Sequence, residues 1–335
     1  MSTHAELPFE IPMFITLQYY AAAGIALSTH PEGKNALLNY TTNLQCDRKF
    51  LTGYTSPMPE CPGASLYAIN QLIRHTVSTR YTLSIYQDII RTMIDEGLYV
   101  YFGGVDDYYI PQKSWYGIRH MTHDGILLGY NDQTGTYTIA AYDMNWVFRS
   151  FEITQKDFEV ALCEGLKDPL ANCVLIGLGV KEERIHLETN ATPERLKIYL
   201  KNDMEEFPMD KKGGKVNGIA VHNYFAKYME LLHDGTIPHE RMDWRVMRLV
   251  WEFRNCMQQR LLAIENNLKL GNECSNQYQE ILDRTNHLRM LYALYNKKKK
   301  DSIPLLIRDE LLNLKDAEKE ILTNFIQKKE DKVPI

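Results

Sequence analysis

The stretch HMTHDGILLGYNDQTGTYTIAAYD, residues 120–143, constrains the fold more than any other part of the chain. Two runs rich in apolar and β-branched residues, 123–130 and 137–142, flank the segment NDQTG. Its Asn, Asp and Gly suit a tight turn, so the pattern predicts an antiparallel hairpin. A hairpin brings its open ends together, which sets His123, where one strand starts, beside Asp143, where the next one ends. A carboxylate next to an imidazole fixes its tautomer and stabilises the imidazolium, the base-and-orienter half of a nucleophilic triad. Two solvated strand ends would carry the same residues with no chemistry attached, and spacing alone leaves both readings open.

The surroundings extend the hairpin into a sheet. ITLQYYAAAGIALSTHPEG (15–33) reads as a buried helix of small and apolar residues, ended by Pro31 and Gly33. CPGASLYAINQLIRHT has apolar residues at helical spacing behind Pro62. A helix over 83–96 ends at Gly97, and a strand follows through Val100. VFRSFEI is a third strand beside the hairpin, Thr154 and Asp157 form a helix-starting pair, and NCVLIGLGV (172–180) is apolar throughout, as a central strand is. Beyond Val180 the texture changes. Thr192–Pro193 starts a helix, EEFPMDKKGGKVNG is a polar connection, and helical periodicity covers 218–233, 243–267, 272–296 and 303–328. The expected class is α+β: a domain over 1–185 built on an antiparallel sheet, then an all-α domain over 186–335.

With 335 residues there is room for about two domains. The net charge of −5 leaves no footprint for nucleic acid. No run of about 18 apolar residues predicts a membrane span, and the first residues lack the features of a signal peptide. The six cysteines are scattered with no CxxC pair, which argues against a zinc knuckle and fits a reduced, cytoplasmic protein. KKGGKVNG lacks the spacing of a phosphate loop, NKKKKD reads as a solvated turn between helices, and Asp106 and Asp107 as a polar loop. No metal site is expected. Twenty-one tyrosines either fill core and rim positions or line a cleft.

The run HDGILLGYNDQTGTYTIAAYD, followed by FEITQKDFEVAL, resembles the papain-like fold as used by C39-type peptidases. There a His opens a strand, a GYD-like tripeptide closes it, an Asp ends the next strand and a short helix follows. With GLYVYFGGVDDYYIP ahead of the histidine and a helical second half, the chain looks closest to the butirosin-biosynthesis BtrH-like family, accessory proteins of nonribosomal peptide and related natural-product clusters. The resemblance implies His123 as base and Asp143 as its orienter. It also implies acyl or peptidyl transfer from a 4'-phosphopantetheine thioester on a carrier protein to an amine, with no other cofactor.

The family's nucleophile is a cysteine at the N-terminus of a long buried helix, where the helix end lowers the thiol pKa and offers backbone N–H groups to an oxyanion. The corresponding helix here begins LQYYAAAG and holds no cysteine. Gln18 stands there, with Tyr19 beside it, and Tyr142 precedes the aspartate. A glutamine donates to an oxyanion but does not attack a carbonyl. Cys61, just before Pro62 and the expected helix, and Cys46 are the two substitutes. Two functions follow: a cysteine-dependent acyltransferase or peptidase-like hydrolase, or a catalytically inactive member of the fold that binds a carrier protein, a peptide or a small molecule.

Overall fold

The computed structural model describes residues 3–52, 56–181, 184–201 and 213–332. The chain divides into two compact units, one of residues 1–36 and 64–185, the other of 37–63 and 186–335. The last of the three crossings falls at 185, close to where the composition changes, but 37–63 joins the helical unit rather than the first domain expected over 1–185. Residues 202–212, most of the polar connection read from the sequence, lie outside the described residues.

The first unit is a seven-stranded antiparallel sheet with helices on both faces. Its strands are β1 (His4–Glu6), β2 (Leu72–Ser78), β3 (Tyr99–Asp106), β4 (Thr122–Asn131), β5 (Thr136–Tyr142), β6 (Phe148–Thr154) and β7 (Val174–Val180). They run β2-β7-β3-β4-β5-β6, with β1 paired to the end of β4. The β4–β5 hairpin forms as expected, and Gly135 supplies the positive φ that its turn needs. VFRSFEI and NCVLIGLGV are strands, the latter flanked by β2 and β3.

Helix α1 (Gln18–Ser28) covers one face. It is buried almost all round, and its run of Ala and Gly allows close approach: a Cβ on Gly24 would stand 2.5 Å from Pro12 Cβ. Helices α2 (Tyr86–Asp95) and α3 (Gln155–Gly165) cover the other face, where Ile90, Val100, Phe102, Leu127, Ile139 and Phe158 share one core. The rings of Phe102 and Tyr137 meet that of Phe158 edge to face, at 5.3 and 5.4 Å between centroids. Thr154 Oγ1 accepts from Asp157 N at 2.9 Å and starts α3, as the sequence pair predicts.

One local expectation fails. The segment CPGASLYAINQLIRHT is not a helix: it holds a short 3-10 turn at Pro62–Ala64 and the start of β2. The apolar residues fit a helical period, but LIRHTVS is also rich in β-favouring residues, and β7 offers seven consecutive pairing partners. Tertiary pairing overrides a weak local preference there.

The second unit is helical apart from a three-stranded antiparallel sheet of Gln45–Asp47, Pro59–Glu60 and Lys215–Asn217. Its helices are α4 (Thr192–Lys201), α5 (Val221–His233), α6 (Arg245–Leu268), α7 (Glu273–Lys298) and α8 (Ser302–Lys332). Contacts run α6–α7, α7–α8, α5–α8 and α4–α8. Lys299, inside NKKKKD, closes α7 in the left-handed conformation at φ +52°.

Candidate functional site

The end of the sheet where β3 stops and β4 starts gathers two histidine–aspartate pairs and a lysine. Gly103 and Gly104 form a bulge in β3 that shifts its pairing by one residue, from Phe102 opposite Gly125 to Val105 opposite His123. Gly104 sits at φ +74°, and a Cβ there would come within 2.7 Å of Cys173 Sγ, so the bulge requires glycine. Past it the chain turns through Asp107–Tyr109 and sets two aspartates against the start of β4.

Asp107, not Asp143, is the partner of His123. Nδ1 of His123 lies 2.5 Å from Asp107 Oδ2, and Lys113 Nζ lies 3.5 Å from Asp107 Oδ1. Asp107 and Lys113 are buried, while the His123 side chain keeps 32% of its surface exposed, with no bond engaging Nε2 among the described residues. A second pair stands beside the first: His120 Nδ1 lies 2.7 Å from Asp106 Oδ2, and its exposed ring stacks on Tyr108. Asp143 has other work. Its Oδ1 accepts from the backbone of Asn145 and Val147, and its Oδ2 takes Arg149 Nε at 2.6 Å. Burial opposes its ionisation, but these donors outweigh burial and hold the carboxyl below the usual carboxylate range. The hairpin geometry was sound, yet a histidine in an interior strand has two neighbouring strands. The other one, ending GGVDD, supplied the carboxylate.

A one-residue offset separates His123 from α1. Alternate residues of a strand point to opposite faces. Asp124 therefore faces α1: its Oδ1 accepts from Gln18 Nε2 at 2.9 Å, and its Oδ2 accepts from the Tyr101 hydroxyl at 3.0 Å. Burial pushes the Asp124 carboxyl up, against the pull of the Tyr101 hydrogen bond. Tyr142, on the same face, donates to Ile15 O at 2.7 Å just before α1, and Tyr19 packs edge to face on Tyr20. The place expected for a thiol facing an imidazole thus holds an amide facing a carboxylate. Sequence reading missed Asp124, although it is the residue next to the histidine that the reading chose. Strand parity was the usable signal.

Neither substitute cysteine carries the lowered thiol pKa of an attacking group. Cys46 and Cys61 belong to the second unit, both within about 1% of full burial. Burial pushes both thiols up, and acidic neighbours push the same way. The thiols of Cys163, Cys173 and Cys274 are likewise raised, with burial the largest cause. An attacking cysteine needs the opposite shift. Among the described residues no group of three or more His, Cys, Asp or Glu is placed to hold a metal ion. None of their helices is long and apolar enough to cross a membrane. A comparison with models of known protein families finds no match, and a search of curated proteins finds no similar sequence.

Proposed function

We propose that the chain is a papain-like, BtrH-like accessory protein of natural-product biosynthesis that has no thiol nucleophile and acts by binding an acyl or peptidyl group presented on a carrier protein. The contact between Gln18 and Asp124 carries this reading, because it puts an amide, which does not attack a carbonyl, where the thiol is expected, and a buried carboxylate, whose ionisation burial opposes, where the imidazole is expected. The raised thiols of Cys46 and Cys61 support it. The test is intact-mass spectrometry of the full chain after incubation with an acyl-loaded carrier protein. The expected result is a binding complex with no covalent adduct. An acyl adduct on Cys46 or Cys61, lost on replacement of that residue by Ala, overturns the reading.

A second reading rests on the contact between His123 and Asp107. With Nδ1 held by the carboxylate, Nε2 is free to accept a proton from an amine as the amine nitrogen bonds to a thioester carbonyl; the C–S bond then breaks and the departing thiolate takes up the proton. This transfer needs no acyl-enzyme. Unchanged product formation by His123→Ala removes it.

A further inference from the structure

Asp143 contributes to an exposed surface rather than to a triad. Its backbone and carboxylate fold residues 143–147 into a tight turn: Asp143 O accepts from Trp146 N at 3.0 Å, and Oδ1 binds the amides of Asn145 and Val147. Within that turn Trp146 is held at φ +58°, a conformation that costs a non-glycine residue about 1 kcal/mol or more. The turn leaves Met144, Trp146 and Val147 at 55, 45 and 52% exposure. The second part of the surface comes from the loop over 111–121. Trp115 meets Trp146 edge to face at 6.3 Å, and Tyr116 and Ile118 stand out at 49 and 73% exposure. Backbone bonds from Gly117 N to Tyr108 O and from Ile118 N to Trp115 O fix this loop. Scattered exposed apolar residues are ordinary. A group held together by a strained turn and a Trp–Trp contact marks an interaction surface.

The charge around the group narrows its partner. The loop PQKSWYGIRHM (111–121) contains no Asp or Glu, and the one acidic residue of the turn over 143–147, Asp143, is buried, although the chain as a whole carries −5. Arg119 lies over the Trp115 ring at 5.7 Å and forms no ion pair among the described residues, while the half-exposed Arg149 beside the turn is already paired with Asp143. An anionic membrane is a poor match, since such surfaces recruit clusters of about four to eight Lys or Arg and only two guanidinium groups are exposed here. Apolar and aromatic side chains edged by the exposed guanidinium of Arg119 fit a short amphipathic helix with an acidic flank.

We propose that the loop over 111–121 and the turn over 143–147 form a docking surface for an acidic amphipathic helix of the carrier-type partner. The proposal rests on the binding reading above for the identity of that partner. The experiment titrates the full chain, labelled at the tryptophan indole nitrogens, with a phosphopantetheine-bearing acyl carrier protein and separately with a synthetic acidic amphipathic peptide. The indole N–H signals of Trp115 and Trp146 are expected to move while those of Trp244 and Trp251 stay. Arg119→Glu weakens binding at least tenfold, and so does Trp146→Gly, which keeps the turn because glycine accepts its positive φ. If the peptide binds at these two indoles and the carrier protein does not, the surface stands and the carrier reading falls. If the carrier protein binds without moving either indole, or binds Arg119→Glu equally well, the docking surface falls and the carrier reading stands. Saturation of the same two indoles by phosphatidylserine vesicles, or their shift on self-association alone, overturns the proposal in favour of a membrane or a second copy.

Discussion

Each of the two units contains a histidine bound to a carboxylate, and the two are built for opposite ends. His222, on α5, is fully buried with Glu318, Arg254, Tyr199, Tyr278 and Thr285. Arg254 Nη2 lies 2.8 Å from Glu318 Oε2, Tyr278 donates to Oε1 at 2.5 Å, and His222 Nε2 is 3.2 Å from Oε2. The network draws a side chain from every helix from α4 to α8 and offers nothing to solvent. His123 has one carboxylate and a half-exposed ring whose Nε2 is unengaged among the described residues. A closed network specifies which helices meet; an open pair leaves a nitrogen for something outside the chain.

Removing one member of the closed network is expected to have the largest effect. Glu318→Ala leaves the Arg254 charge buried without a carboxylate, which should cost about 3–5 kcal/mol and show in urea unfolding followed by circular dichroism. A cost below 1 kcal/mol would mean that the network does not hold the bundle. Asp107→Asn at the open pair strands Lys113 alone, with an expected loss of about 2 kcal/mol, and lets the His123 ring change tautomer, which ring-nitrogen shifts report. If this variant is as costly as Glu318→Ala, the contrast between open and closed sites collapses.

Acid should act on the closed site next. Burial, reinforced by Arg254, lowers the His222 pKa. A depressed histidine binds fewer protons folded than unfolded, so its share of stability is present above about pH 6.5 and is lost as pH falls, by at most about 1.4 kcal/mol per unit. Burial would raise Glu318, but Arg254, His222 and Tyr278 bring it down to about 2. Its share is present above the usual glutamate range and is lost as pH falls from there toward about 2. Both slopes have the same sign, so unfolding free energy measured from pH 7 to pH 4 should fall steadily, and His222→Gln should flatten the upper part. The smallest effect is expected from Gln18→Cys. It faces Asp124 rather than an imidazole, so no acyl adduct should form on the new thiol, while Gln18→Cys combined with Asp124→His is the variant in which one could. An adduct on the single variant would show that some other base reaches the helix end.

Much of the architecture was legible in the amino acids. The hairpin, the helix stop at Gly97, the start of α3 at Thr154, the apolar strand over 174–180 and the bundle helices each follow from local pattern, because periodicity and turn chemistry act over a few residues. The residues of β2 fit both periods, and pairing with β7 decides between them. Cys46 and Cys61 were reasonable candidates by position along the chain. Their assignment to the helical unit depends on how 37–63 crosses between units, which no local pattern records.

The candidate site divides along the same line. Local pattern is enough to put a histidine at the start of β4, an aspartate pair at the end of β3, and a glutamine at the start of the helix where a thiol is expected. Which of these groups meet depends on pairing between strands far apart in the chain. The bulge at Gly103 and Gly104 sets the register that gives His123 to Asp107, and strand parity turns Asp124 toward Gln18. A shift of one residue in a sheet exchanges both partner and face, and that register is fixed by contacts between strands distant in the chain.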